Sequence, residues 1–145
     1  MSTYMPKPGE VTANWHVVDA TDQVLGRLAS RVSLIIQGKH KATFTPHVET
    51  GDFVVIINAD KVRVTGQKAE VLEYQTYSRY PGGQKRKSMR EVMEKSSTRV
   101  IEHAVRGMLP HNRLGREQFR SLFVYEGAEH PHAAQQPKAV DLTNL

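Results

Sequence analysis

A chain of 145 residues is the size of one ordinary domain, long enough to bury a core without disulfides or a structural metal. The absence of cysteine excludes disulfide frameworks, thiol catalysis and Cys-ligated zinc, and fits a reducing compartment. Twenty Lys and Arg against fifteen Asp and Glu give a net charge of +5, a balance that suits a polyanionic partner without bearing on fold.

Residues 1–14, with two prolines and Gly9 and no periodicity, are expected to form an extended N-terminal arm. They lack the basic segment and apolar run of a secretory signal. The apolar runs, such as Phe53 to Ile57, are too short to span a membrane, so a cytoplasmic protein with no membrane partner is expected. Trp15 to Ala20 is a β-branched stretch that predicts a strand. Thr21-Asp22-Gln23 supplies turn and capping residues. Leu25, Leu28, Ala29, Val32, Ile35 and Ile36 then recur at helical spacing, with Arg27, Ser30 and Arg31 off the stripe and Gly38 placed as a stop.

Residues 38–52 show no sustained period and predict a long connection. Phe53 to Ile57 is continuously apolar, the mark of a strand covered on both faces. Asn58-Ala59-Asp60 reads as a turn, Lys61 to Thr65 as a short strand, and residues 66–70 as a polar link. Residues 72–78 alternate and predict a two-faced, exposed strand. Residues 79–90 carry five basic residues and no acid around Pro81-Gly82-Gly83, and read as a basic loop. Ser88 and Glu91 match a capping box opening a short helix with Met89, Val92 and Met93. A broad stripe of Val100, Ile101, Ala104, Val105, Met108 and Leu109 predicts a buried helix closed by Pro110. Leu114 and Phe119 suggest a further short helix, and Leu122 to Tyr125 a last strand. The polar segment from Gly127 is expected to be an extended C-terminal tail with little core of its own. The expected organisation is therefore an arm over 1–14, one α/β domain over 15–126 in three layers around a parallel or mixed sheet, and a tail over 127–145.

Several chemistries are weak in this sequence. The turn after the first strand has one glycine, without the spacing of a dinucleotide or P-loop motif. Of the seven histidines only His130 and His132 lie close, beside Glu129, and no metalloprotease-type or structural-zinc spacing occurs, so no metal is expected. Asp19 and Asp60 follow strands, where α/β enzymes place catalytic groups, but they suit turns better, and no serine sits in a nucleophile elbow. No enzyme activity, cofactor or small-molecule substrate is expected.

The basic residues, by contrast, are concentrated. Lys39, His40 and Lys41 lie in the long connection; Arg79, Lys85, Arg86, Lys87 and Arg90 surround the Pro-Gly-Gly turn; Arg99, Arg106, Arg113, Arg116 and Arg120 lie in the C-terminal third. Basic loops with little apolar content gain order when phosphates neutralise them, and Tyr77 and Tyr80 offer faces for unpaired bases. Nucleic acid is the favoured partner, with a protein-interaction module and a small-molecule-binding α/β enzyme as alternatives.

Five blocks in order carry a closer likeness: W-H-V-V-D-A-T with L-G-R-L-A-S over 15–30, G-K-H-K-A-T-F-T-P-H-V-E-T-G-D over 38–52, I-N-A-D-K-V with V-T-G over 57–68, R-V-I-E-H-A-V-R-G-M-L-P with L-G-R over 99–116, and E-H-P-H-A-A-Q-Q-P over 129–137. With these the chain resembles the bacterial large-subunit ribosomal protein L-thirteen family nearly throughout from Trp15. The resemblance implies a three-layer α/β/α domain around a four-stranded, largely parallel sheet. It implies a structural part of the large ribosomal subunit that binds large-subunit (23S-type) ribosomal RNA, joins early in assembly beside neighbouring ribosomal proteins, and has no catalysis or cofactor. The residues expected to contact RNA are Lys39, His40, Lys41, Arg79, Lys85, Arg86, Lys87, Arg90, Arg106, His111, Asn112, Arg113 and Arg116.

Overall fold

A computed structural model of the chain describes residues 4–7 and 9–142. In chain order the elements are β1 (Trp15–Asp19), α1 (Leu25–Gln37), β2 (Phe53–Ile57), α2 (Lys68–Val71), β3 (Glu73–Tyr77), β4 (Gln84–Ser88), α3 (Met89–Lys95), α4 (Ser97–Met108), α5 (Arg113–Phe119), β5 (Leu122–Val124) and β6 (Lys138–Ala139). Single 3₁₀ turns occupy Ala59–Lys61 and Ala133–Gln135. The main sheet is four-stranded and parallel in the order β5-β2-β1-β6, and β3 and β4 form a separate antiparallel hairpin. The α/β class and the four-stranded parallel sheet are as expected.

The order of the strands dictates what covers each face. From β1 to β2 and from β2 to β5 the chain steps the same way across the sheet. Right-handed crossovers then put α1 and α4 on one face, where they pack together. Val18, Val54 and Ile56 meet Leu28, Val32, Ile36, Ile101 and Val105 there, all essentially inaccessible. From β5 to β6 the chain returns past two strands in the opposite direction. The same handedness carries this crossover over the other face. On that face Trp15 stacks on Phe53 and Phe123, with ring centroids 4.5 and 5.5 Å apart, and His132 from the returning segment closes over Phe123 at 4.5 Å. Val54, Val55 and Ile56 are all fully buried, so β2 is covered on both faces as its unbroken apolar run predicts.

Local chemistry explains the element ends. Gly38 takes the left-handed conformation (φ 77°) and its N–H and that of Lys39 reach back to Ile35 and Leu34, the stop expected for α1. Ser88 accepts from the Glu91 N–H and caps α3 as its sequence predicts.

Four expectations need correction. Lys61 to Thr65 is not a sheet strand: Arg63 forms an isolated bridge with Val24, and its carbonyl accepts the Leu25 N–H at 2.9 Å, taking the place of a side-chain cap on α1. The polar link contains a short helix, α2. Residues 84–88, read as basic loop, are β4, paired with β3 through the backbone in a register that sets Tyr74 opposite Lys87 and Thr76 opposite Lys85. The segment after Gly127 supplies the fourth strand, β6, hydrogen-bonded to β1, and buries Leu142 in the core. Two-residue β6 is too short to show a period, and its stability comes from the strand it joins.

Candidate nucleic-acid interface

The crossovers distribute the candidate residues. Helices α1 and α4 run back against the strands, so both end at the sheet edge where β1 and β2 begin. Lys39, His40 and Lys41 follow α1 there, and Arg106, His111, Asn112, Arg113 and Arg116 lie at the end of α4 and on α5. The Ser121 hydroxyl, just before β5, reaches the Glu49 carboxylate of the long connection at 3.3 Å, tying the two segments. Arg79, Lys85, Arg86, Lys87 and Arg90 belong instead to the hairpin and α3, which enter at the opposite edge, between the end of β2 and the start of α4. The basic residues thus form two groups.

The first group includes an open cleft of about 470 Å³ at the end of α4. Leu109, Pro110 and Phe119 give it apolar walls, and Arg106, His111, Arg116 and Arg120 surround it. The Arg106 guanidinium lies 5.8 Å from the centroid of the Phe119 ring. Among the described residues none of these arginines, nor Arg113 or Lys39, has an acid within ion-pair distance. Asn112 serves the fold itself, because its side-chain oxygen accepts the Gly115 N–H at 2.7 Å and caps α5. Gly115 is held against Pro110, whose carbonyl oxygen would lie 1.7 Å from any added Cβ.

The long connection is organised by Asp52, whose side chain is 1% exposed. Its carboxylate accepts the Asn14 N–H (2.8 Å), lies 3.0 Å from His16 Nε2 and 2.9 Å from His40 Nε2, and pairs with Lys41 Nζ at 2.6 Å. Burial alone would raise its pKa, but hydrogen bonds from Lys41, the Asn14 N–H and His16 together hold the carboxyl below its ordinary value. Lys41 also donates to the Thr12 carbonyl, which fastens the N-terminal arm. His40 and Lys41 therefore direct their polar ends inward. His16, His40 and Asp52 form a set with metal-ligand chemistry that linear spacing does not reveal. The Lys41 ammonium on the same carboxylate already balances its charge, and the set reads as an ion-paired joint.

In the second group the strand conformation separates neighbours. Side chains alternate along β4, so Lys85 and Lys87 share a face and Arg86 takes the other, 4.0 Å from Glu73. Arg79 sits in the hairpin turn with φ 68°, and Arg90 pairs with Glu94 at 3.5 Å along α3. Tyr74 meets His103 of α4 edge-on at 4.9 Å and anchors the hairpin, while Tyr77 and Tyr80 stand exposed.

Residues outside the expected set also assemble. Arg27, Arg31 and Arg63 line a second cleft of about 570 Å³ with Ser30, Asp22 and Leu142, beside the junction of β1 and β6 where the strand order changes direction. The i, i+4 spacing of Arg27 and Arg31 off the apolar stripe was a visible signal; Arg63 had none.

Comparison with known proteins supplies the context for these surfaces. Residues 13–131 match the family model described as Ribosomal protein L13. The chain belongs to this family. It is 56% identical over 145 residues to the large ribosomal subunit protein uL13 of Kocuria rhizophila, covering 100% of this chain and 99% of that protein. It is 54% identical over 140 residues to that of Symbiobacterium thermophilum (97% and 98% covered) and 56% over 135 residues to that of Chlorobaculum parvum (93% and 90% covered). Family membership makes this a structural, non-enzymatic protein of the large ribosomal subunit, hence of the cytoplasm. No helix among the described residues is long and apolar enough to cross a membrane.

Proposed function

We propose that the protein binds large-subunit (23S-type) ribosomal RNA through both basic groups and supports early assembly of the subunit, alongside neighbouring ribosomal proteins. The observation that carries this reading is the set of arginines without acidic partners around the cleft at the end of α4, on a chain of the Ribosomal protein L13 family. Lys39, Arg106, His111, Arg113 and Arg116 on one edge, and Arg79, Lys85, Arg86, Lys87 and Arg90 on the other, neutralise phosphates and release counterions. Two separated basic edges suit a protein that fixes RNA segments relative to each other. His40, Lys41 and Asn112 act chiefly by shaping the segments that present these cations, since His40 Nε2, Lys41 Nζ and the Asn112 side-chain oxygen are engaged within the protein.

Binding of transcribed large-subunit RNA fragments across a salt series tests this. With about six to ten phosphate contacts, affinity falls on the order of 10³–10⁵-fold between 50 and 200 mM salt. Binding indifferent to salt would refute it. Exposed Val71, Leu72, Tyr77 and Tyr80 on α2 and the hairpin favour an added contact with a neighbouring protein. Association with the large subunit after limited ribonuclease treatment measures that contribution.

A further inference from the structure

We infer that the cleft at the end of α4 holds one unstacked nucleobase of the bound RNA, lying on the guanidinium plane of Arg106. The inference rests on the RNA-binding reading above and specifies what this cleft takes. A grip on phosphate alone needs cations and hydrogen-bond donors and no apolar wall. Here the Arg106 guanidinium lies 5.8 Å from the centroid of the Phe119 ring, within cation–π reach, and its side chain is exposed on the cleft. A guanidinium held beside an aromatic wall presents a planar face on which an unpaired base stacks.

The dimensions agree. About 470 Å³ far exceeds what a phosphate group fills and lies in the range of pockets that take nucleotide-sized ligands. Leu109 and Pro110 add apolar wall for the edge of the base. Arg116 and Arg120 border the same cleft, with no acid among its lining residues, and are placed for the flanking phosphates. The Asn112 oxygen already holds the Gly115 N–H and does not also accept from a base edge. Stacking and charge, which every nucleotide offers, supply the grip.

The test uses adenosine 5′-monophosphate, uridine 5′-monophosphate and ribose 5-phosphate, followed through the backbone amide resonances of Arg106, Gly115, Arg116 and Phe119. All three carry the same phosphate, and only the first two carry a base. Both nucleotides are expected to bind about tenfold more tightly than ribose 5-phosphate. Arg106→Lys keeps the charge and removes the plane, and is expected to bring the nucleotides down to the level of ribose 5-phosphate. Equal binding of all three to the native protein would overturn the inference, as would a base preference that survives in Arg106→Lys or no perturbation of these amides. Any of these results with salt-sensitive ribosomal RNA binding intact removes the base pocket alone. Loss of salt-sensitive RNA binding itself would instead remove the broader reading.

Discussion

Gly115 lies so close to Pro110 that the carbonyl oxygen of Pro110 would be 1.7 Å from a side-chain carbon at position 115. The contact holds the first turn of α5 against the segment that follows α4, and both residues line the basic cleft. Gly115→Ala forces the two segments apart. It is expected to cost about 1–3 kcal/mol, the range for overpacking a tight site. Urea denaturation measures the loss, and ribosomal RNA affinity at fixed salt should fall with it because Arg113 and Arg116 move with α5.

Asp52 contributes to the acid limit of stability. Its folded carboxyl titrates below its ordinary value, so in acid the unfolded chain binds more protons there than the folded one. The stabilisation is complete above the unfolded value of about 3.9 and is lost as pH falls through the lower folded value. Asp52→Asn should flatten this part of the stability curve. At neutral pH it leaves Lys41 without its counter-charge and should cost about 3 kcal/mol, the low end for breaking a buried pair, because Lys41 keeps some solvent contact. Thermal melts of both proteins from pH 3 to 8 check the two effects.

Lys85, Arg86 and Lys87 are exposed on a strand held by its backbone. Changing all three to Ala should leave the melting temperature nearly unchanged. The salt slope of RNA binding should fall by about one unit for each phosphate no longer neutralised, up to about three. A large drop in melting temperature would mean that these side chains pack into the domain.

His132 ties the returning segment to the sheet. Its ring lies 5.1 Å from Trp15 and 4.5 Å from Phe123, and its Nε2 is 2.8 Å from the Tyr125 hydroxyl. His132→Ala should cost about 1–2 kcal/mol, since it removes ring packing and one hydrogen bond. Trp15 is the only tryptophan, so its emission should shift to the red as water reaches the uncovered face.

What could be read directly from the residues was what local spacing encodes. The stripe of α1, the unbroken run of β2 and the Ser88–Glu91 cap each depend on residues a few positions apart, and each forms as expected. The basic stretch over 84–88 hid a strand because every side chain there is polar, and pairing with β3 runs through the backbone. Arg63 caps α1 with its carbonyl, a group every residue carries and no pattern marks. His16 and Asp52 are brought together by the parallel pairing of β1 with β2, and His40 joins them because α1 runs back to the end where those strands begin. The resemblance to a ribosomal family anticipated the parallel four-stranded sheet, but residue patterns alone did not identify β6 as its fourth member.

The pairing of β1 with β6 makes the first strand wait for the last. During synthesis at about 5–20 residues per second, β1 emerges early, and β2 can cover one of its edges long before β6 exists. Until residues 138–142 are free, the other edge of β1 keeps unpaired backbone groups, and the place of Leu142 in the core is empty. Completion of the sheet therefore waits for residues 138–142, which carry the last of its strands to be made. A truncated product lacking those residues keeps an open strand edge along β1 and an unfilled place in the core.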